Sequence, residues 1–252
     1  MAWQNRGMAE SSDDAAGDDG AWDDGAWGDG GLYEERRVDS PHVECVWQAR
    51  AVRQERYLVA AVEYWDIWFA RRPDGEEVAA LSGPTLGHRW IESVVDEHGW
   101  GVQLQAHVMV PGASKRMLLG GEQPLPVADG LVEIGGHRLP FPEFDELEGF
   151  VERLLELGVL RADEAVQRAL SGDGAGYSER QWQRLVRDAT GLTRKQISQL
   201  ERAREAFALL TEGVTPVECA VRCGFSDQAH LTRSLRLLHG QTPARILAGP
   251  GR

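Results

Sequence analysis

The chain has 252 residues, 42% of them hydrophobic, more than one ordinary domain core needs and enough for two small domains. Its 27 basic and 40 acidic side chains give a formal net charge of −13, which excludes a uniformly basic nucleic-acid binder. The charge is uneven, −7 over residues 1–31, −11 over 32–176 and +5 over 177–252, so a basic C-terminal module on an acidic body stays open.

No apolar run approaches the roughly 18–20 residues of a membrane span, so no membrane partner is expected. The N-terminus has no basic-then-apolar signal region, and the only cysteines are Cys45, Cys219 and Cys223. Both features predict a protein of the reducing cytoplasm.

Residues 1–32 read as a disordered acidic tail. Paired aspartates at 13–14, 18–19 and 23–24 alternate with Gly and Ala, and "GAW" ends twice, at Trp22 and Trp27. So little aliphatic content cannot offset the entropy of ordering.

From Tyr33 to Phe141 the pattern favours strands. Tyr57–Val62, Asp66–Ala70, Glu77–Leu81 and Val102–Val110 are short, rich in Val, Tyr and Trp, and partly alternating. Turns are predicted at Pro73-Asp74-Gly75, Ser82-Gly83-Pro84, His98-Gly99 and Pro111-Gly112. A small sandwich or barrel follows, serving as a sensor or partner domain at 33–141.

After Phe141 the period changes to 3.6. Phe150, Leu154, Leu155 and Leu157 mark one helix and Leu160 to Leu170 a second, together a helical connector over 142–176 that ends in the glycine-rich loop 171–176. The fold class is therefore α+β, with a strand-rich N-terminal domain ahead of an all-α C-terminal one at 177–252.

In that C-terminal part Ser178 and Gln181 form an S-x-x-Q capping box for a helix to about Thr190, with Gly191 placed to end it. Trp182, Leu185, Val186 and Ala189 make one apolar stripe, leaving Arg180, Gln183, Arg184 and Arg187 on the other face. A second helix of about 18 residues, roughly 27 Å at 1.5 Å per residue, spans Arg194 to Thr211. A third starts at Thr215, with Pro216 at its first position and Glu218 three residues on as a second capping box, and runs to about Cys223 before Gly224. Ser226 or Asp227 caps a fourth, which continues to about His239 with Leu231, Leu235 and Leu238 inward. A short helix, a glycine turn and a helix whose first turns carry Gln228, Ala229, His230, Thr232 and Arg233 make a helix-turn-helix. Arg can pair with guanine there and Gln with adenine.

The runs "GYSERQWQRLVRDATGLT", "ERAREAFALL" and "AVRCGFSDQAHLTRSLRLLHGQTPARI" resemble the DNA-binding domain of the AraC/XylS family of transcription regulators. Ala220, Gly224, Phe225, Leu231, Gly240, Thr242 and Pro243 stand where that family's signature has them. The aromatic usual in its recognition stretch is Val186 in one copy and Leu235 in the other. The segment from Pro41-His42-Val43-Glu44 to Val110-Pro111-Gly112-Ala113 is similar to an N-terminal region of actinobacterial regulators of this type. The resemblance implies a regulator, not an enzyme, that needs no cofactor and puts two recognition helices, at about 178–190 and 226–239, into successive major grooves. Its DNA contacts would be Arg180, Gln183 and Arg184, then Gln228, Ala229, His230, Thr232 and Arg233. The implied partners are double-stranded DNA, RNA polymerase and an unidentified small-molecule effector.

An alternative reading makes the N-terminal domain a metal- or ligand-dependent enzyme, with His88, His98 and His107 as ligands and the helices as a partner-binding appendage. Cys219 and Cys223, four apart, read as small buried residues. Trp65, Trp68, Trp90 and Trp100 read chiefly as core, with a ligand pocket as the other use of their rings.

Overall fold

The computed structural model describes residues 31–54, 56–111, 118–171 and 178–249. The sequence reading of the acidic tail falls on 1–32, and of that stretch residues 1–30 lie outside the described residues, as does most of the loop 171–176. Among the described residues no helix is long and apolar enough to cross a membrane.

The N-terminal half is built of short strands: β1 (Gly31–Arg37), β2 (Val43–Ala51), β3 (Arg56–Val59), β4 (Trp65–Arg71), β5 (Glu77–Ser82), β6 (Arg89–Glu92), β7 (His98–Leu104), β8 (Val108–Met109), β9 (Glu122–Leu125), β10 (Val127–Ala128), β11 (Leu131–Ile134) and β12 (His137–Pro140). Six of them form an antiparallel sheet in the order β1-β2-β7-β4-β5-β9. The pair β3–β6 and the meander β10-β11-β12 stand as separate small sheets.

Side chains alternate across a strand, and β4 uses both faces. Trp65, Ile67 and Phe69 are fully buried on one face, together with Val46, Trp100 and Val102 of the neighbouring strands. Helix α1 (Leu147–Glu156) lays Leu147, Phe150, Val151 and Leu154 onto this layer. Phe69 meets Phe141 and Phe150 edge-on at centroid distances of 5.3 and 5.5 Å, a favoured aromatic geometry. The indole N–H of Trp100 donates to the Pro142 carbonyl at 2.9 Å, which satisfies the one polar atom of a fully buried ring.

Several expectations need correction, among them the Tyr57–Val62 strand, which is β3 and ends at Val59. His98-Gly99 is no turn but the start of β7; the turn lies just before it, where the Glu97 N–H donates to Val94 O and Asp96 has φ 62°. Glycine is needed inside this strand for space. A Cβ on Gly101 would come within 2.8 Å of the Trp47 ring from β2. Val102–Val110 is also not one strand, because the chain turns where the Val108 N–H donates to Gln105 O. β8 then pairs with β13 (Arg161–Ala162), a partner too distant in sequence for local alternation to reveal.

The second predicted connector helix is shorter than expected, α2 (Glu164–Ser171), because Arg161 and Ala162 are used as strand. The C-terminal part is α3 (Glu179–Thr190), α4 (Arg194–Thr211), α5 (Pro216–Arg222), α6 (Gln228–His239) and α7 (Pro243–Ala248) around its own core of Trp182, Val186, Leu200, Leu210, Leu231 and Leu235.

The two halves touch through the end of α6. The Ala61 N–H donates to Leu238 O at 2.7 Å and the His88 N–H to Leu237 O at 3.1 Å. Beside these, Arg204 of α4 is hydrogen-bonded and ion-paired with Glu63 and reaches the Tyr64 hydroxyl, its guanidinium 4.8 Å from that ring's centroid. Gly240 ends α6 with φ 68°, and a Cβ there would meet the Leu58 side chain at 2.8 Å.

Candidate nucleic-acid interface

Helix α3 begins with the capping box read in the sequence. Ser178 Oγ accepts from the Gln181 N–H, and Gln181 Oε1 accepts from the Ser178 N–H at 2.8 Å. Gly191, with φ 76°, closes the other end in the left-handed region. Trp182, Val186 and Ala189 are buried, and Arg180, Gln183 and Arg184 are exposed. Gln183 leans on its own helix, donating to Glu179 Oε1 at 3.3 Å.

Thr193 and Gln196 form a second box that starts α4. Thr215 caps α5 by accepting from the Glu218 N–H, with Pro216 in the first turn. Glu218 does not reach back as a full box requires, and its carboxylate lies 3.7 Å from Arg222.

Asp227 is the cap of α6, its carboxylate accepting from the His230 N–H at 2.6 Å. That bond, helped by the Ser226 hydroxyl, holds the carboxyl below the usual range. Gln228, Ala229 and Arg233 are exposed, and His230 and Thr232 half-buried. The His230 ring lies 3.2 Å from Ser226 Oγ through Nδ1 and edge-on to Phe225. The Thr232 hydroxyl donates to Gln228 O at 2.9 Å, so it keeps only acceptor capacity for a partner.

A side chain the sequence reading missed fixes the turn between α5 and α6. Arg202 of α4 donates to Gly224 O at 3.0 Å and lies 5.4 Å from the centroid of the Phe225 ring. Nothing in the sequence marks it, since it sits on the polar side of its helix.

Cys219 and Cys223 are both buried, and burial pushes the Cys219 thiol up to about 12, so neither reads as a thiolate ligand. His88, His98 and His107 do not converge: His88 lies against Leu237 O, His98 against Gln48 and His107 near His42. Among the described residues no three His, Cys, Asp or Glu side chains are placed to hold a metal ion.

His239, the last residue of α6, is buried and stacked on Phe207 at 4.8 Å. Burial, with the Arg204 charge, lowers its pKa to about 4. An unfolded chain binds that proton near pH 6.5, so the His239 contribution to stability is complete above 6.5 and is lost as pH falls towards 4. Thermal melts at pH 7.5 and 5 are expected to show a smaller acid-side loss for His239→Phe than for the parent; equal losses would rule His239 out as the cause.

Residues 172–249 match the helix-turn-helix domain family. Comparison with curated proteins gives no match. Among solved structures the chain is similar to ToxT from Vibrio cholerae O395, at 9% identity over 86% of this chain and 97% of that one, with a TM-score of 0.40. It is also similar to the unsaturated fatty acid-bound wild-type ToxT from Vibrio cholerae strain SCE256, at 8% identity over 87% and 95% of the two chains, with a TM-score of 0.39. The C-terminal region is a helix-turn-helix domain, and it follows a strand-rich N-terminal domain in the same chain.

Proposed function

We propose that this protein is a sequence-specific, DNA-binding transcription regulator of the AraC/XylS type, with α3 and α6 as recognition helices in successive major grooves. The observation that carries the reading is the repeated design of α3 and α6. Each is capped at its N-terminus by a side chain, ends on a left-handed glycine, and shows Arg and Gln on its outer face, with α4 between them. Both lie in residues 177–252, which carry a net charge of +5 against −11 over 32–176.

In this reading Arg180, Gln183 and Arg184 contact DNA from α3, and Gln228, Ala229, His230, Thr232 and Arg233 from α6. Arginines on phosphates supply salt-dependent affinity, and a few base contacts supply sequence choice. Residues 177–252 are the DNA-reading part, 33–141 the part that receives a signal or partner, and 142–176 the connector. The protein acts in the cytoplasm, with RNA polymerase and a small-molecule effector as further partners, and catalyses no reaction. The actinobacterial affinity of the N-terminal segment belongs to the same proposal.

Selection of bound sequences from a random DNA library tests the reading. The expected result is an enriched motif with two elements about one helical turn apart; no enrichment over input would refute it. With that motif in hand, Arg233→Ala is expected to weaken specific binding by about 1–3 kcal/mol, the worth of one good base contact. Unchanged affinity and unchanged base preference in anisotropy titrations would remove Arg233 from the interface.

A further inference from the structure

The face of the six-stranded sheet opposite α1 meets β3, β6 and the side chains of Arg204 and His239 from the helical half. The strands β3 and β6 help to line a partly open cavity there of about 370 Å³, within the range of small-ligand pockets. Its floor is chemically unusual. Trp47 lies flat on Gly101, and its indole N–H donates to both oxygens of Asp66, at 3.3 and 3.2 Å. Two strands away, Glu122 accepts from the Trp68 indole at 3.2 Å and from the Ser82 hydroxyl at 3.2 Å. Asp66, Ser82 and Glu122 are register partners across β4, β5 and β9, so the two carboxylates share one face.

An indole N–H orients a carboxylate but does not neutralise it. The charge of Glu122 on the same face therefore disfavours a second charge at the desolvated Asp66. Burial and the Glu122 charge raise the Asp66 carboxyl to about 7 against the opposing effects of Trp47 and Arg89. Arg89, on β6, also lines the cavity, and its Nε has no hydrogen-bond partner among the described residues. Tyr57 adds an aromatic side chain suited to a cation's attraction to ring faces, while Tyr64 already carries the Arg204 guanidinium.

We propose that this cavity binds a small organic cation. Its ammonium group sits between the carboxylates of Asp66 and Glu122, against Trp47 and Trp68, and a hydroxyl or carbonyl of the same molecule accepts from Arg89 Nε. An anionic ligand would meet the two carboxylates head-on, and a purely apolar one would leave them unbalanced. The walls include Arg204 of α4 and His239 of α6, so the bound molecule touches both halves of the chain. The site stands on the chemistry of the cavity and does not depend on the DNA-binding reading.

Titration of the full chain without DNA keeps the two apart. Phenethylamine and tyramine are compared with 3-phenylpropionate and 3-(4-hydroxyphenyl)propionate, which have similar bodies and the opposite charge. Tryptophan fluorescence and thermal shift report binding. The amines are expected to bind saturably and raise the melting temperature, while the carboxylates do neither. Asp66→Asn and, separately, Glu122→Gln are expected to weaken amine binding about tenfold or more, the loss of one desolvated charge contact. Glu133→Gln, on β11 away from the cavity, is expected to leave it unchanged. Equal or tighter binding of the carboxylates, no amine binding up to millimolar concentration, or full amine affinity in both cavity variants would overturn the proposal.

Discussion

Arg204→Ala is expected to cost about 3–5 kcal/mol of stability, because it strands a buried charge. Glu63 is only 2% exposed, one of its oxygens is held by Arg204, and the other has no hydrogen-bond partner among the described residues. Without the guanidinium, Glu63 must protonate, draw in water or pull its segment away from α4. The Tyr64 hydroxyl loses the same donor. Urea unfolding at neutral pH measures the effect. The double variant Arg204→Ala with Glu63→Gln should recover part of the loss, since a neutral amide has no charge to strand. A loss below about 1 kcal/mol for the single variant would place the pair with ordinary surface bridges.

Leu231→Ala is the second large effect, at about 2–5 kcal/mol. Leu231 is fully buried in a core shared by Cys219, Ala220, Phe225 and Leu235, which locks α5 to α6. The truncation opens a void at the centre of the proposed DNA-reading unit, so the loss should appear both in thermal melts and in DNA affinity. Val221, on α5 and 77% exposed, is the control. Val221→Ala should stay within about 0.5 kcal/mol. Similar melting temperatures for the two variants would mean that α5 and α6 are not held by this core.

The helical half was readable because its signals are local. The Ser178–Gln181 box, Gly191 and the Asp227 cap each depend on residues within a turn or so of one another, and the 3.6 period fixes which side chains face out. The same logic, applied further, would have found α7, whose Thr242 caps from the side chain with Pro243 in its first turn. The sheet was legible only in part. The alternation in β4 survives as read, but Gly99 and Gly101 look like loop residues until the Trp47 ring is seen lying across them. The cavity was out of reach for a stronger reason. Trp47, Asp66, Ser82 and Glu122 meet only after five strands, β2-β7-β4-β5-β9, are set side by side, and their spacing along the chain carries no trace of that. Arg204 and Glu63, 141 positions apart, are hidden in the same way.

The last carbonyls of an α-helix have no partners within the helix. In α6 those of Leu237 and Leu238 accept from the amides of His88 and Ala61, so the strand-rich half finishes the helix that the other half begins. The two halves are therefore tied into one cooperative unit at this point, whatever independence their separate cores allow. In native-state hydrogen exchange the Ala61 and His88 amides should open with the free energy of the final turn of α6, not with that of the loops they occupy.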